Sequence, residues 1–253
     1  MSFKTLVLAF SNGAQVTAVQ VAPGADLTGL AEALGISPPD GTIAIVGGAA
    51  GLDGPEMKEL RDALEPLLAE LAAYAVAHNL AVIDGGTSSG AMRLLGEVRT
   101  ARGSDFPLIG VAPLGKVAWG NRSPSEGGDT PLDANHSGFV LVEADEWGGE
   151  VYTLAAVAHV LAGEGPKLEV LINGGAVSRH DVQSYLRMGG HVMVIEGSGR
   201  FADEVASALR HGQGSDPDIR AILETKRVSL FPLHSPQGML TRRLSDLLEA
   251  GGG

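Results

Sequence analysis

One pattern recurs along this chain: a short aliphatic run, then a glycine-rich stretch, then a segment with helical spacing. Thr42–Val46 leads into Gly47-Gly48-Ala49-Ala50-Gly51, and Pro55 opens a helix expected to reach about Asn79. Proline suits the first turn because no intrahelical partner awaits its missing N–H. Leu80–Ile83 leads into Asp84-Gly85-Gly86-Thr87-Ser88-Ser89-Gly90 and a helix to about Arg102. Leu108–Ala112 precedes a long loop, and Phe139–Val142 precedes a helix from about Gly149 to Leu161. Leu168–Ile172 runs into Asn173-Gly174-Gly175 and a helix to about Leu186. His191–Ile195 runs into Glu196-Gly197-Ser198-Gly199-Arg200 and a helix to about His211. Val228–Phe231 and a last helix, Gly238–Ala250, complete the series.

Aliphatic runs of this length fit strands buried on both faces. Strands alternating with helices pair in parallel through right-handed crossovers. The expectation is an α/β fold: a Rossmann-like open parallel sheet of about seven strands with helices on both faces. Residues 1–25 read as a small amino-terminal β hairpin turning at Ser11-Asn12-Gly13,. The 253 residues are expected to form one nucleotide-binding domain,. Aromatic residues make up only 4% of the chain, so Ala, Val, Leu and Ile must build the core. Residues 114–136 read as a long functional loop and 211–218 as a surface connection,.

Composition removes several function classes. The absence of cysteine excludes disulfides, thiolate metal sites and a cysteine nucleophile,. A net charge of −12 with scattered basic residues argues against nucleic acid as a partner,. No long uncharged apolar run suggests a membrane span, and MSFKTLVLAF lacks a cleavage region, so a cytoplasmic location is expected,. The histidines show no zinc-binding spacing, and Ser198 lacks the G-x-S-x-G elbow of serine hydrolases,.

In open α/β sheets, ligands bind beyond the carboxyl ends of the strands. The glycine-rich stretches fall at that edge, each before a helix amino terminus, where free N–H groups and the helix dipole attract anions. The loop candidates are Gly47, Gly48 and Ala49; Gly85, Gly86, Thr87, Ser88, Ser89 and Gly90; Gly174, Gly175 and Ser178; and Gly197, Ser198 and Gly199. Arg179 and Arg200 start helices beside them, where a guanidinium suits a phosphate,. Arg122, with Asn121, lies in the long loop; Asn135 and His136 precede a strand. Arg93 reads as a surface residue, and Trp119 as either a base-stacking side chain or a loop anchor. No Walker pattern and no clean G-x-G-x-x-G is present,.

Six stretches in order resemble motifs of the SLOG superfamily: 42–51, 82–96, 109–122, 132–143, 170–175 and 192–202. The similarity is to the prokaryotic LSDAT branch, related to the amino-terminal homology region of melastatin-type TRP channels. It implies a SLOG fold and a pocket for a nucleotide-derived ligand of the ADP-ribose or NAD class. The superfamily also contains the Lonely Guy phosphoribohydrolases, whose hallmark is P-G-G-x-G-T-x-x-E. Here that stretch reads Asn173-Gly174-Gly175-Ala176-Val177-Ser178-Arg179-His180-Asp181. Ser178 stands in for the threonine, and Asp181 for the catalytic glutamate. The preceding helix carries no Arg or Lys. These departures shift the expectation from hydrolase towards a binding or sensing module.

Three functions therefore stand open: a nucleotide-binding sensor, an N-glycoside hydrolase using Asp181, or a structural oligomerisation domain. A homodimer or higher homo-oligomer is expected, with apolar surface offered by Leu60–Leu71 and Gly238–Leu248. No metal ligand set is expected. Mg²⁺ stays open at the acidic cluster Glu143, Asp145, Glu146 and Glu150, which also reads as a solvated turn,.

Overall fold

The computed structural model describes residues 3–49, 52–120, 130–212 and 216–249. In chain order the elements are β1 (Lys4–Ala9), β2 (Gln15–Val21), α1 (Leu30–Leu34), β3 (Gly41–Gly47), α2 (Lys58–Ala77), β4 (Leu80–Asp84), α3 (Gly90–Ala101) and β5 (Leu108–Pro113). There follow β6 (Val117–Ala118), β7 (Thr130–Pro131), β8 (Gly138–Val142), α4 (Val151–Ala162), β9 (Lys167–Ile172) and α5 (Ala176–Arg187). The chain continues through β10 (His191–Glu196), α6 (Arg200–His211), α7 (Pro217–Glu224), β11 (Val228–Pro232) and α8 (Met239–Glu249).

The main sheet has nine strands in the order β1-β2-β8-β5-β4-β3-β9-β10-β11. All neighbours pair in parallel except β1 with β2. The seven strands expected from the aliphatic runs are all present. The hairpin adds two more, because β2 pairs in parallel with β8.

Strands β4, β5 and β8 are buried along their whole length. Helices cover both faces. Leu64, Leu68 and Leu71 of α2, Leu95 of α3 and Leu244 of α8 share one core with Ile43, Val82 and Val170. Leu154 and Val157 of α4, Val182 of α5 and Val205 of α6 share the other with Ala44, Ile83 and Leu171. The apolar faces of α2 and α8, expected to support a dimer, pack against the sheet and each other.

The topology fixes where a ligand can enter. From β3 the chain steps outward through β4, β5 and β8. Helix α4 then carries it back across the sheet, so that β9 pairs on the other side of β3. The strand order reverses between β3 and β9, and their carboxyl ends diverge there into a crevice.

Two expectations about loops change. The connection expected over 211–218 already contains the start of α7. Pro217 occupies its first turn, and Asp216 caps it by accepting from the N–H groups of Asp218 (2.8 Å) and Ile219 (3.4 Å). With only Ile219 and Ile222 buried, the helix is too short to show apolar periodicity,. Within 114–136, Leu114–Lys116 forms a 3-10 turn, and β6 pairs with β7. Asn121 and Arg122 lie outside the described residues.

Candidate functional site

A cleft of about 560 Å³ opens at the β3/β9 crevice. Of the residues expected at a site, Gly47, Gly48, Ala49, Gly85, Thr87, Ser89, Gly174, Gly175, Ser178, Asp181 and Arg200 line it. Gly86, Ser88, Gly90, Asn135, His136, Arg179, Gly197, Ser198 and Gly199 are not among its walls. Reasons for the difference lie in the hydrogen bonds.

The β4–α3 loop satisfies its own backbone. Gly86 N–H donates to Asp84 Oδ1 (2.7 Å), Ser88 N–H to Pro131 O (2.8 Å) and Ser89 N–H to Thr87 O (2.8 Å). At the start of α3, Gly90 N–H donates to Asp53 Oδ1 (3.0 Å), which also accepts from Arg93, and Ala91 N–H donates to Gly48 O (2.8 Å). An internal carboxylate thus already sits where an anion would bind. Gly90 holds φ +52°, and a β-carbon there would collide with the Gly48 carbonyl. What this loop offers the cleft is the hydroxyl pair of Thr87 and Ser89, 3.0 Å apart.

Beneath it, His136 is fully buried between two carboxylates. Its Nε2 lies 2.8 Å from Asp84 Oδ1 and its Nδ1 3.3 Å from Asp133 Oδ2. Burial alone would lower its pKa, but the charges of Asp84 and Asp133 outweigh it and raise it to about 9. Asn135 bonds Asp133 and Thr100 rather than facing the cleft. These residues anchor the loop from below, since Asp84 also holds Gly86 and Asp133 N–H donates to Gly86 O (2.9 Å).

The β9–α5 end is built differently. Asn173 N–H donates to Ser198 Oγ (2.7 Å), Gly174 N–H to Asn173 Oδ1 (3.0 Å) and Gly175 N–H to Ser178 Oγ (3.2 Å). Gly175 is the N-cap and provides no side-chain acceptor. Among the described residues no partner meets the N–H groups of Ala176, Val177 and Ser178, and all three residues line the cleft. Arg200 closes over this end. Its Nη2 lies 2.8 Å from where a Gly175 side chain would begin. Among the described residues Arg200 makes no ion pair, whereas Arg179 is bonded to Asp216 (2.6 Å) and Glu204 (2.6 Å) and stacks on Phe201. Asn173 and Arg200 both hold left-handed backbone, at φ +57° and +51°. Such strain in non-glycine residues gathers where a side chain must be aimed.

The opposite wall carries residues that sequence reasoning missed or set aside: Met92, Thr130, Trp147, Glu150 and Leu154. Glu150 leads into α4 and is 6% exposed, its Oε2 accepting from Gly148 N–H (2.8 Å). Asp181 is 7% exposed and makes no side-chain hydrogen bond or ion pair among the described residues. Burial, then the charge of Glu150, pushes its pKa up to about 8. Burial likewise raises Glu150. The position of Glu150 at the head of an apolar helix on the sheet was the available signal. Trp119 instead packs against the core formed by Leu8, Val117 and Phe139. Among the described residues no group of three or more His, Asp or Glu side chains is arranged to hold a metal ion.

A doubly wound parallel sheet with a cleft at its switch point defines a Rossmann-like α/β protein. The particular lineage follows from comparison: residues 40–241 match the family described as SLOG in TRPM, prokaryote, and the chain belongs to that family. A solved X-ray structure, the structural-genomics target TM1055, superposes with a TM-score of 0.53 at 17% identity, covering 83% of this chain and 99% of that one. That likeness supports the fold. No curated protein matches. No helix among the described residues is long and apolar enough to cross a membrane.

Proposed function

We propose that the chain binds a nucleotide-derived ligand, of the ADP-ribose or NAD class, as a sensor or binding module. The observation that carries this reading is the start of α5, whose glycine N-cap has no side chain to accept from its first amides, beside the guanidinium of Arg200, which makes no ion pair among the described residues. Free amides, a helix dipole and a cation converge there, which is the combination a phosphate requires. The ligand's sugar and base then extend along Trp147, Met92, Leu154 and the acids Glu150 and Asp181. Family membership supports a nucleotide-related role. In a heat-shift assay against ADP-ribose, NAD and AMP, at least one raises the melting temperature, because a ligand of the native state stabilises it. No shift with any of them sinks the reading.

Asp181 favours a second reading. A carboxyl in the cleft with a pKa of about 8 is protonated at neutral pH, as a general acid for N-glycosidic cleavage must be,. Release of free base from AMP, abolished by Asp181→Asn, would establish it. Heat-shift stabilisation without product leaves the binding reading in place.

A further inference from the structure

Two carboxyls share the cleft with the phosphate seat, and neither is matched by a cation. Asp181 is 7% exposed and lines the cleft without a side-chain hydrogen bond or ion pair among the described residues. Glu150 is 6% exposed and also lines it. The turn before α4 fixes Glu150: its Oε2 accepts from Gly148 N–H (2.8 Å), and Val151 N–H donates to Gly148 O (3.4 Å). The same turn carries Trp147, which lines the cleft while 42% exposed. Among the described residues no lysine, arginine or histidine pairs with either acid, and the Arg200 guanidinium lies over Gly175 instead. A buried carboxyl without a counter-charge is costly to ionise. An exposed indole beside such acids is the surface on which a flat cation stacks.

We propose that Trp147, Glu150 and Asp181 form a subsite for a flat organic cation, so that the ligand is a nucleotide with a permanent positive charge on its ring: an oxidised pyridine nucleotide rather than ADP-ribose. The inference rests on the reading that the start of α5 and Arg200 hold a phosphate. Spacing along α5 fits it. Asp181 follows Ser178, the last open amide of that seat, by three residues, ~4.5 Å of helix rise,. That is a span on the order of the one sugar that joins a nucleotide's phosphate to its ring. An uncharged ring in the same place leaves both acids without counter-charge. A cationic ring supplies it and stacks on the indole.

Seating a cation here is linked to a proton. Three charged groups come towards Asp181 from other elements: Glu150 from the head of α4, Glu169 from β9 and Arg200 from the start of α6. Tyr185 follows on its own helix, where it meets His159 of α4. Strand β3 brings no titratable side chain, β10 commits His191 to Ser229 and Glu196 to Arg210, and Asp216 before α7 is held by Arg179. Burial, then the charge of Glu150, pushes Asp181 up to about 8, so below that pH it carries a proton. A cation favours the ionised form. The Asp181 O–H bond breaks as the ligand seats, its electron pair stays on the carboxylate and the proton leaves to solvent. Affinity for the cation therefore rises with pH up to about 8 and levels off above it,.

Titration calorimetry with NAD⁺, NADH and ADP-ribose tests this. All three carry the same ADP-ribosyl portion, and only NAD⁺ has a cationic ring. Wild type should bind NAD⁺ at least about tenfold more tightly than the other two. Repeated at neutral pH in buffers of different ionisation enthalpy, NAD⁺ binding should release a proton and NADH binding none. Asp181→Asn should abolish that release and bring NAD⁺ to within about twofold of NADH. Glu150→Gln should narrow the preference without abolishing the release. Equal affinity for NAD⁺ and NADH in wild type, or proton release that persists in Asp181→Asn, would overturn the proposal. ADP-ribose bound as tightly as NAD⁺ removes the cation subsite and leaves the nucleotide reading intact, whereas no binding of any of the three removes both.

Discussion

The β9–α5 and β10–α6 loops are neighbours at the same sheet edge. Both are glycine-rich, both contain or reach a serine, and both lead to a helix with an arginine in its first turns. They do opposite things. The β10–α6 loop closes on itself: Ser198 is 0% exposed, accepts from Asn173 N–H (2.7 Å) and donates to Ile195 O (2.6 Å). Gly197 N–H is taken by Asp203 Oδ1 (2.7 Å). The β9–α5 loop leaves the first amides of α5 open to the cleft. The arginines are exchanged: Arg200, on the closed loop, reaches across to the open one, while Arg179, on the open one, turns outward to Asp216 and Glu204. Glycine marks the turn; whether a donor already has an internal partner marks the place for a ligand. Closed regions should therefore respond to mutation in stability, and the open one in binding.

The largest expected effect falls on the most closed region, under the β4–α3 loop. His136→Ala leaves Asp84 and Asp133 buried without their cation, which costs about 3–5 kcal/mol,. At ~2–4 °C per kcal/mol for a chain of this size, melting should drop by roughly 6–20 °C in calorimetry. The pH dependence has a defined sign. The folded pKa is raised from 6.5 to about 9, so the stabilisation is complete below 6.5 and is lost as pH rises through 9,. A wild-type melting curve that does not fall over this window more than that of His136→Ala would contradict the ion-pair assignment.

Arg200→Ala tests the open side. A charged hydrogen bond contributes roughly 1.5–3 kcal/mol, so affinity for a phosphate-bearing ligand should fall about tenfold or more. Because the residue is exposed and makes no ion pair among the described residues, melting of the free protein should stay within about 0.5 kcal/mol of wild type,. A large loss of stability with unchanged affinity would reverse the comparison between the loops.

The frame of this molecule was legible because its strands are buried on both faces. Runs such as Thr42–Val46 and Leu168–Ile172 have no other stable use than a covered parallel strand,. The edge that carries the cleft was legible too, through the glycines that follow its strands, but which two strands flank the switch point came only with the strand order. What could not be read was the direction of side chains across non-local contacts. Asp53 caps α3 from 37 residues away in sequence. His136 meets Asp84 across 52 residues. Glu150 was set among a solvated acidic turn because Gln20 and Lys116, which hold Glu143 and Glu146 outside the cleft, come from distant segments. Sequence patterns report local geometry; these choices depend on which strands and loops become neighbours.

Ser198→Ala should separate stability from binding within a single loop. It removes the acceptor for Asn173 N–H and the donor to Ile195 O in a fully buried place, which costs about 1–3 kcal/mol,. Melting falls by several degrees, while phosphate affinity changes less than in Arg200→Ala. A binding loss equal to that of Arg200→Ala would mean that Ser198 sets the orientation of Asn173 and, through it, the cleft.

Arg179→Ala is the smallest effect and the sharpest check on the comparison, because the sequence ranks Arg179 and Arg200 alike. Arg179 joins α5 to Glu204 on α6 and to Asp216, the cap of α7, with its guanidinium 4.6 Å from the Phe201 ring centre. Its side chain is 24% exposed, and both carboxylates are more exposed still, so solvent screens the pairs. Such contacts are worth about 1 kcal/mol or less each. Removing the side chain should lower melting by a few degrees, loosen α7 as read by hydrogen exchange, and leave nucleotide affinity within about twofold of wild type. Asp216→Asn should reproduce the local loosening of α7, since it weakens the same cap. If Arg179→Ala instead weakens nucleotide binding as much as Arg200→Ala, the guanidinium must leave Asp216 and Glu204 when ligand arrives, and the phosphate seat would span both arginines.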